Sequence, residues 1–422
     1  MRIISRSLLI IEKIISFLIT ALMANILSYS DIGFWSQVLF SSSLFTSIIG
    51  FNIPNGIIAI VPRINKREEK YELIFKSILF IFIIGLFFCL SLIFFRGFIS
   101  KILFNKILDL NIFVLILTIG FAELLLEFIL YYYRSVKNFS FSNYVLILRI
   151  LPRIVVVFGI LKNDINLILY LYSGTYLFSC IFTYLILVKN NRNNILNLLI
   201  KKLNNLLSLN PKPYLRSLFA LSRKSVFATI TASLFFFLIR SITLSNKGLD
   251  GVGQFSLAIS AGAIMLSITT FTGFTFYPYV SNLAIQQKEK AFLKTKELSL
   301  KVIYFSLSLS FILIIIKSIF WNNLNFYPFT INSIDLFLSF LGYGFLGAYQ
   351  IAQPFAFALT DSINVFKIEL LSSVFSLGLI YLISLGNKFS IHLALLSFCL
   401  YTLSNYLQAN YRNSNILKEK NV

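Results

Sequence analysis

Apolar runs of roughly 20 residues recur along the whole chain with almost no charge inside them. Nothing else in the sequence restricts the fold so strongly. In water such runs would leave far more apolar surface than one core can cover. In hydrocarbon each is long enough to cross about 30 Å as an α-helix, which satisfies every backbone hydrogen bond internally. Only 13% of the 422 residues are charged and 58% are hydrophobic. Strands of a membrane barrel would alternate in polarity over about 10 residues, and that alternation is missing. The expected class is therefore an all-α polytopic membrane protein.

Twelve spans are expected, near residues 7–28, 36–60, 72–95, 111–131, 143–161 and 166–188, then 222–245, 252–280, 299–320, 333–358, 365–385 and 388–410. The longest polar connection, 189–216, divides them into an N-terminal six-helix lobe (1–210, with its connector) and a C-terminal one (211–422). Lys and Arg on one side outnumber those on the other about three to one, which places both termini in the cytoplasm. The net charge of +21 is absorbed by this bias, so no nucleic-acid partner is implied. Cys89, Cys180 and Cys399 lie within apolar runs and read as core residues.

The stretch Ser30–Lys70 returns 220 positions later as Asp250–Lys290: a turn, an apolar run and a charged exit. Without a gap, 7 of 41 positions are identical, among them Gly33 with Gly253 and Ser36 with Ser256. An even number of spans per lobe makes the repeat parallel, with both lobes entering the membrane from the same side.

Charges inside spans are costly, about 2.5–3.5 kcal/mol each at a helix centre, and so mark candidate sites. Glu123 and Glu127 share a face of the fourth span, and Arg149 and Arg153 share a face of the fifth. The hairpin between them predicts a ladder pairing Glu127 with Arg149 and Glu123 with Arg153. Pro152 predicts a local helix break whose freed carbonyls line a cavity. Glu12 and Lys13 are adjacent and cannot share a face, though both could snorkel. Arg240, without an acidic neighbour in sequence, could snorkel outward or bind phosphate. Asn52, Pro54 and Asn55 interrupt the second span, and Gln350, Gln353 and Pro354 the tenth. Asp361 and Glu369 read as solvated at span ends, and His392 as structural. No phosphate-binding loop, HExxH or CxxC pattern occurs, and no histidine suits a triad. The sequence thus points to a carrier, with no catalytic residue, metal or cofactor.

The segment "ANILSYSDIGFWSQVLFSSSLFTSIIGFNIPNGIIAIVPR", followed by a basic loop, resembles the start of Wzx-type polysaccharide flippases. These belong to the multidrug/oligosaccharidyl-lipid/polysaccharide (MOP) superfamily. Asp31, Gly33, Phe34 and Trp35 match the short outer turn of that family. Chain length and two six-span lobes extend the resemblance across the whole chain. It departs where many relatives carry a tyrosine after the glycine.

The resemblance implies two MATE-like parallel lobes around a cationic cavity, in a bacterial inner membrane. It implies an oligosaccharide on undecaprenyl diphosphate, an O-antigen or capsule repeat unit, as cargo. Alternating access would carry it from the cytoplasmic to the periplasmic leaflet, and a polysaccharide polymerase and chain-length regulator would be partners beside the bilayer. Arg149, Arg153, Lys13, Arg240, Asn52 and Asn55 are the candidate substrate contacts. Glu123, Glu127 and Glu12 are the candidates for coupling H⁺ or Na⁺. A drug or cation antiporter of the same superfamily is the nearest rival. A membrane-embedded O-antigen polymerase or ligase is the rival of another class, disfavoured by the short outer loops.

Overall fold

The computed structural model describes residues 2–51, 53–61, 64, 66–136, 138–190, 213–265, 280, 283, 286–320, 330–358, 362–384 and 389–418. Among these residues every regular element is helical. The helices are α1 (Arg2–Ile26), α2 (Tyr29–Gly50), α3 (Ile53–Ile60), α4 (Arg67–Phe94), α5 (Arg96–Phe104), α6 (Leu110–Ser135), α7 (Phe139–Leu161) and α8 (Ile165–Asn190). The series continues with α9 (Pro213–Gly262), α10 (Lys288–Phe320), α11 (Ser333–Ala358), α12 (Ser362–Ser384) and α13 (Ile391–Lys418). Eight of the described helices are long and apolar enough to cross a membrane.

Within the described residues helices cover the expected spans, with three local differences; most of the second half of the expected eighth span, 266–279, lies outside those residues. The second span is two helices, α2 and α3, separated at Phe51, whose φ of 43° ends the helical path. The loop after the third span contains the short helix α5. The seventh and eighth spans run together as α9, redirected at Gly248. There φ is +65°, a conformation that glycine adopts without steric cost. Gly248 lies 220 positions after Ser28, where α1 gives way to α2. At that first turn Ser28 accepts a bond from the Asp31 amide (3.1 Å) and donates to the Asp31 carboxylate (2.6 Å). The two halves make the same turn by different chemistry, one by a side-chain cap and one by glycine.

Contacts divide the chain into two compact units, 1–8 with 37–230, and 9–36 with 231–422. Within the first unit α2 crosses α6 at Gly120, where a Cβ would meet the Ser42 carbonyl at 2.8 Å. Thr46 also donates there to the Gly120 carbonyl (2.8 Å). Within the second unit the C-terminal part of α9 crosses α11 in the same way. A Cβ on Gly262 would meet the Ser339 carbonyl at 2.7 Å, and Ser339 donates to the Ala258 carbonyl. Glycine and serine have exchanged helices between the halves. Either arrangement supplies one small residue for close backbone approach and one hydroxyl to bond across it.

The repeat meets itself inside the second unit. A Cβ on Gly33 would lie 2.0 Å from the Leu249 carbonyl oxygen, and one on Gly253 would lie 2.0 Å from that of Tyr29. Positions 29 and 33 map onto 249 and 253 under the offset of 220, so this crossing is reciprocal. One turn further on, Ser256 donates to its counterpart Ser36 at 2.7 Å.

Candidate functional site

In the first unit, α6 and α7 form an antiparallel hairpin, with Asn138 capping α7 by accepting from the Phe141 amide (3.3 Å). Short closure brings the two charged faces together. The salt bridge found joins Arg149 Nη2 to Glu123 Oε1 at 3.3 Å. This differs from the expected ladder, which set Arg149 against Glu127. The hairpin is centred near residue 137, so the level of Glu123 falls between Arg149 and Arg153, and a long guanidinium stem can reach it from either side. Glu127 instead stands beside Tyr131, one turn along α6, with Arg149 and Arg134 in electrostatic reach. Arg153 faces Tyr172 and Tyr176 of α8, whose rings pack edge to face at 4.8 Å. The result is one group of three arginines, two glutamates and three tyrosines, of which Tyr172 and Tyr176 are buried and the rest half-buried.

Pro152 does not break α7, which runs through it. Proline removes the amide that would bond the carbonyl of Leu148 four residues back. That carbonyl accepts the hydroxyl of Ser179 from α8 at 2.9 Å instead. The freed acceptor is therefore spent on helix packing. Likewise α11 continues through Gln350, Gln353 and Pro354.

In the second unit, Glu12 and Arg240 are both turned inward. Glu12 is 3% exposed and Arg240 9%, so neither snorkels. Arg240 Nη1 donates to Ser36 Oγ (3.3 Å), and the Ser36 hydroxyl donates to the Gly33 carbonyl (3.0 Å). The guanidinium lies 5.9 Å from the centre of the Phe255 ring, with Tyr343 in electrostatic reach. Arg240 is thus seated on the helix crossing where the repeat meets itself. Lys13 is half-buried. Asn55 lies on α3 with its side chain outside the described residues, and Asn52 lies outside them altogether. Asp361 is also outside them.

Glu369 corrects the sequence reading most sharply. It is not solvated: it is 6% exposed, on α12, among Tyr349 of α11 and Tyr401 and Asn405 of α13. The sequence signal was present, since apolar residues follow it at once and serines stand three, four and seven positions on. At the far ends of α11 and α13, His392 Nδ1 pairs with Asp335 Oδ1 at 2.5 Å, and Lys317 donates to the Ile331 carbonyl. Among the described residues no group of three His, Cys, Asp or Glu side chains could hold a metal ion.

No protein-family profile and no characterised sequence matches the chain. Solved structures do match its fold. A lipid II flippase, MurJ, in an inward closed conformation superposes with a TM-score of 0.69 at 14% identity, covering 97% of this chain and 87% of its own. A MATE protein in complex with MaL6 gives 0.66 at 11% identity, covering 99% and 96%. A MOP superfamily transporter from Pyrococcus furiosus, described as having a binding pocket of reversed polarity, gives 0.62 at 12% identity, covering 98% and 96%. At these identities the likeness shows the fold: all-α, polytopic and MATE-like.

Proposed function

We propose that the chain is a secondary transporter of the MOP type. In this reading it flips an undecaprenyl-diphosphate-linked oligosaccharide, an O-antigen or capsule repeat unit, between leaflets of a bacterial inner membrane. The observation that carries this reading is the gathering of Arg134, Arg149 and Arg153 beside Glu123 and Glu127 in the α6–α7–α8 group. A diphosphate suits such a gathering, because the planar guanidinium gives two parallel charge-assisted bonds to phosphate oxygens. The MATE-like fold and the lipid II flippase among its structural neighbours support it.

In this mechanism Arg149 exchanges Glu123 for the diphosphate when the lobes (1–210 and 211–422) open toward the cytoplasm. Arg153, Lys13, Asn52 and Asn55 are the further candidate contacts. Arg240 would have to leave the Ser36 hydroxyl to take part. Glu123, released from Arg149, can take up a proton or Na⁺, and Glu127 and Glu12 are its alternates. Both termini face the cytoplasm, and a polymerase and chain-length regulator receive the product.

A drug or cation antiporter is the second reading, favoured by the burial of Glu12 and Glu369. The test replaces Arg149 and Arg153 with glutamine in the native host and in proteoliposomes carrying fluorescent undecaprenyl-diphosphate oligosaccharide. Loss of surface polysaccharide and of vesicle flipping is expected. Normal polysaccharide with lost drug efflux would replace the flippase by the antiporter.

A further inference from the structure

The carboxyl of Glu369 is built into a site that no part of the flipping reading uses. Its Oε2 accepts the Tyr401 hydroxyl and the Asn405 side-chain amide, the latter at 3.1 Å. The Tyr349 hydroxyl also faces the carboxyl, but it has no hydrogen-bond partner among the described residues. The ring of Tyr401 is stacked on Phe235 with centroids 3.9 Å apart and planes 14° apart, which fixes its hydroxyl. Ser373 donates to the backbone carbonyl of Glu369 (2.7 Å), anchoring the helix at that point. The titratable groups facing the carboxyl are Tyr349 from α11 and Tyr401 from α13. Among the described residues no lysine, arginine or histidine pairs with it. As a carboxylate it would be one buried charge with nothing of opposite sign beside it, a state that interiors avoid by pairing or neutralising the group.

Asn405 supplies the second observation. It is fully buried, yet its Oδ1 has no hydrogen-bond partner among the described residues. A buried acceptor left over beside a buried carboxyl calls for one more proton between them. Turning the Asn405 amide by half a turn presents Oδ1 to the carboxyl, and a protonated Glu369 then donates to it. The site thus has two arrangements, one for each protonation state. With the carboxylate, Tyr401 and the Asn405 amide both donate. With the acid, Tyr401 still donates and Glu369 donates to Asn405.

We propose that Glu369, Asn405 and Tyr401 form a proton-binding site inside the second unit. Binding adds one proton from water to one carboxylate oxygen and removes one negative charge from the interior. The reverse step returns the proton to water, and no co-reactant is needed. This inference is independent of the cargo, and its test reads no transport.

The full chain, reconstituted in vesicles, is examined by infrared difference spectroscopy between acidic and alkaline buffers. The wild type is expected to show the carbonyl stretch of a protonated, hydrogen-bonded carboxyl. Glu369→Gln keeps both acceptor bonds and should lose that band while melting near the wild-type temperature. Asn405→Ala should retain the band at a shifted frequency, because its acceptor is gone. Spectra of Glu369→Gln identical to wild type would overturn the proposal. So would loss of the wild-type band on adding Na⁺ at constant pH, which would make a metal cation the occupant. Should Glu369→Gln not fold, an unshifted band in Asn405→Ala overturns it alone.

Discussion

Substituting alanine for Gly33 places a methyl group 2.0 Å from the carbonyl oxygen of Leu249. A relaxed carbon–oxygen contact is about 3.3–3.6 Å, so the helices must part there by more than about 1 Å. The obstacle is backbone, so no rotamer change relieves it. Overpacking of this kind costs about 1–3 kcal/mol, and the rigid obstacle places this case near the upper figure. Alanine returns about 1 kcal/mol of helix propensity. The net expectation is a loss of about 2 kcal/mol. Gly253→Ala meets the Tyr29 carbonyl at the same 2.0 Å and should cost the same. Both methyl groups push apart the same two helices, so the separation forced by one makes room for the other. The double variant should therefore cost much less than the sum, with a coupling of about 1 kcal/mol or more. Gly97→Ala is the control, since nothing lies within 4 Å of its added methyl. Thermal unfolding in detergent, followed by a thiol-reactive fluorophore reaching buried Cys180 and Cys399, measures all four variants. Strict additivity, or alanine at Gly33 as harmless as at Gly97, would refute the reciprocal crossing.

Three other outcomes are expected. Ser179→Ala leaves the Leu148 carbonyl buried without a donor and should cost about 1–3 kcal/mol, but little in a Pro152→Ala background, where the restored amide bonds that carbonyl; the double-mutant cycle by the same assay checks this. Glu123→Gln should destabilise by about 1–2 kcal/mol, below the cost of breaking a fully buried pair because both side chains stay about a fifth exposed, and exchanging the charges (Glu123→Arg with Arg149→Glu) should recover most of it. Arg240→Met should melt near wild type, because an apolar side chain of similar length replaces a buried charge; a collapse of stability would show that its bond to Ser36 holds the crossing together.

The candidate site was legible in part. The charges inside spans were visible as Glu123, Glu127, Arg149, Arg153, Glu12 and Arg240, since any charge in an apolar run is conspicuous. Which acid meets which arginine was not, because positions four apart on facing helices are nearly equivalent to a long side chain. Glu369 was misread because it lies near the polar end of its span, and distance from an end does not report which face is covered. Pro152 was misread because a neighbour's hydroxyl, far away in sequence, takes the freed carbonyl.

The sequence by itself determined the helices, their approximate ends and the 220-residue repeat, because helix is the backbone state that leaves nothing unsatisfied in hydrocarbon. It could not determine the buried faces in the usual way. Lipid and protein interior are equally apolar, so apolar side chains do not choose between them. On α12, Leu370, Leu371, Val374 and Phe375 are exposed while Glu369, Ser372, Ser373 and Ser376 are buried, the reverse of a helix on a soluble protein. Packing of small residues and hydroxyls decided those faces. The same tertiary packing turned Gly33 with Gly253, and Ser36 with Ser256, from a faint sequence coincidence into the contact where the two copies meet.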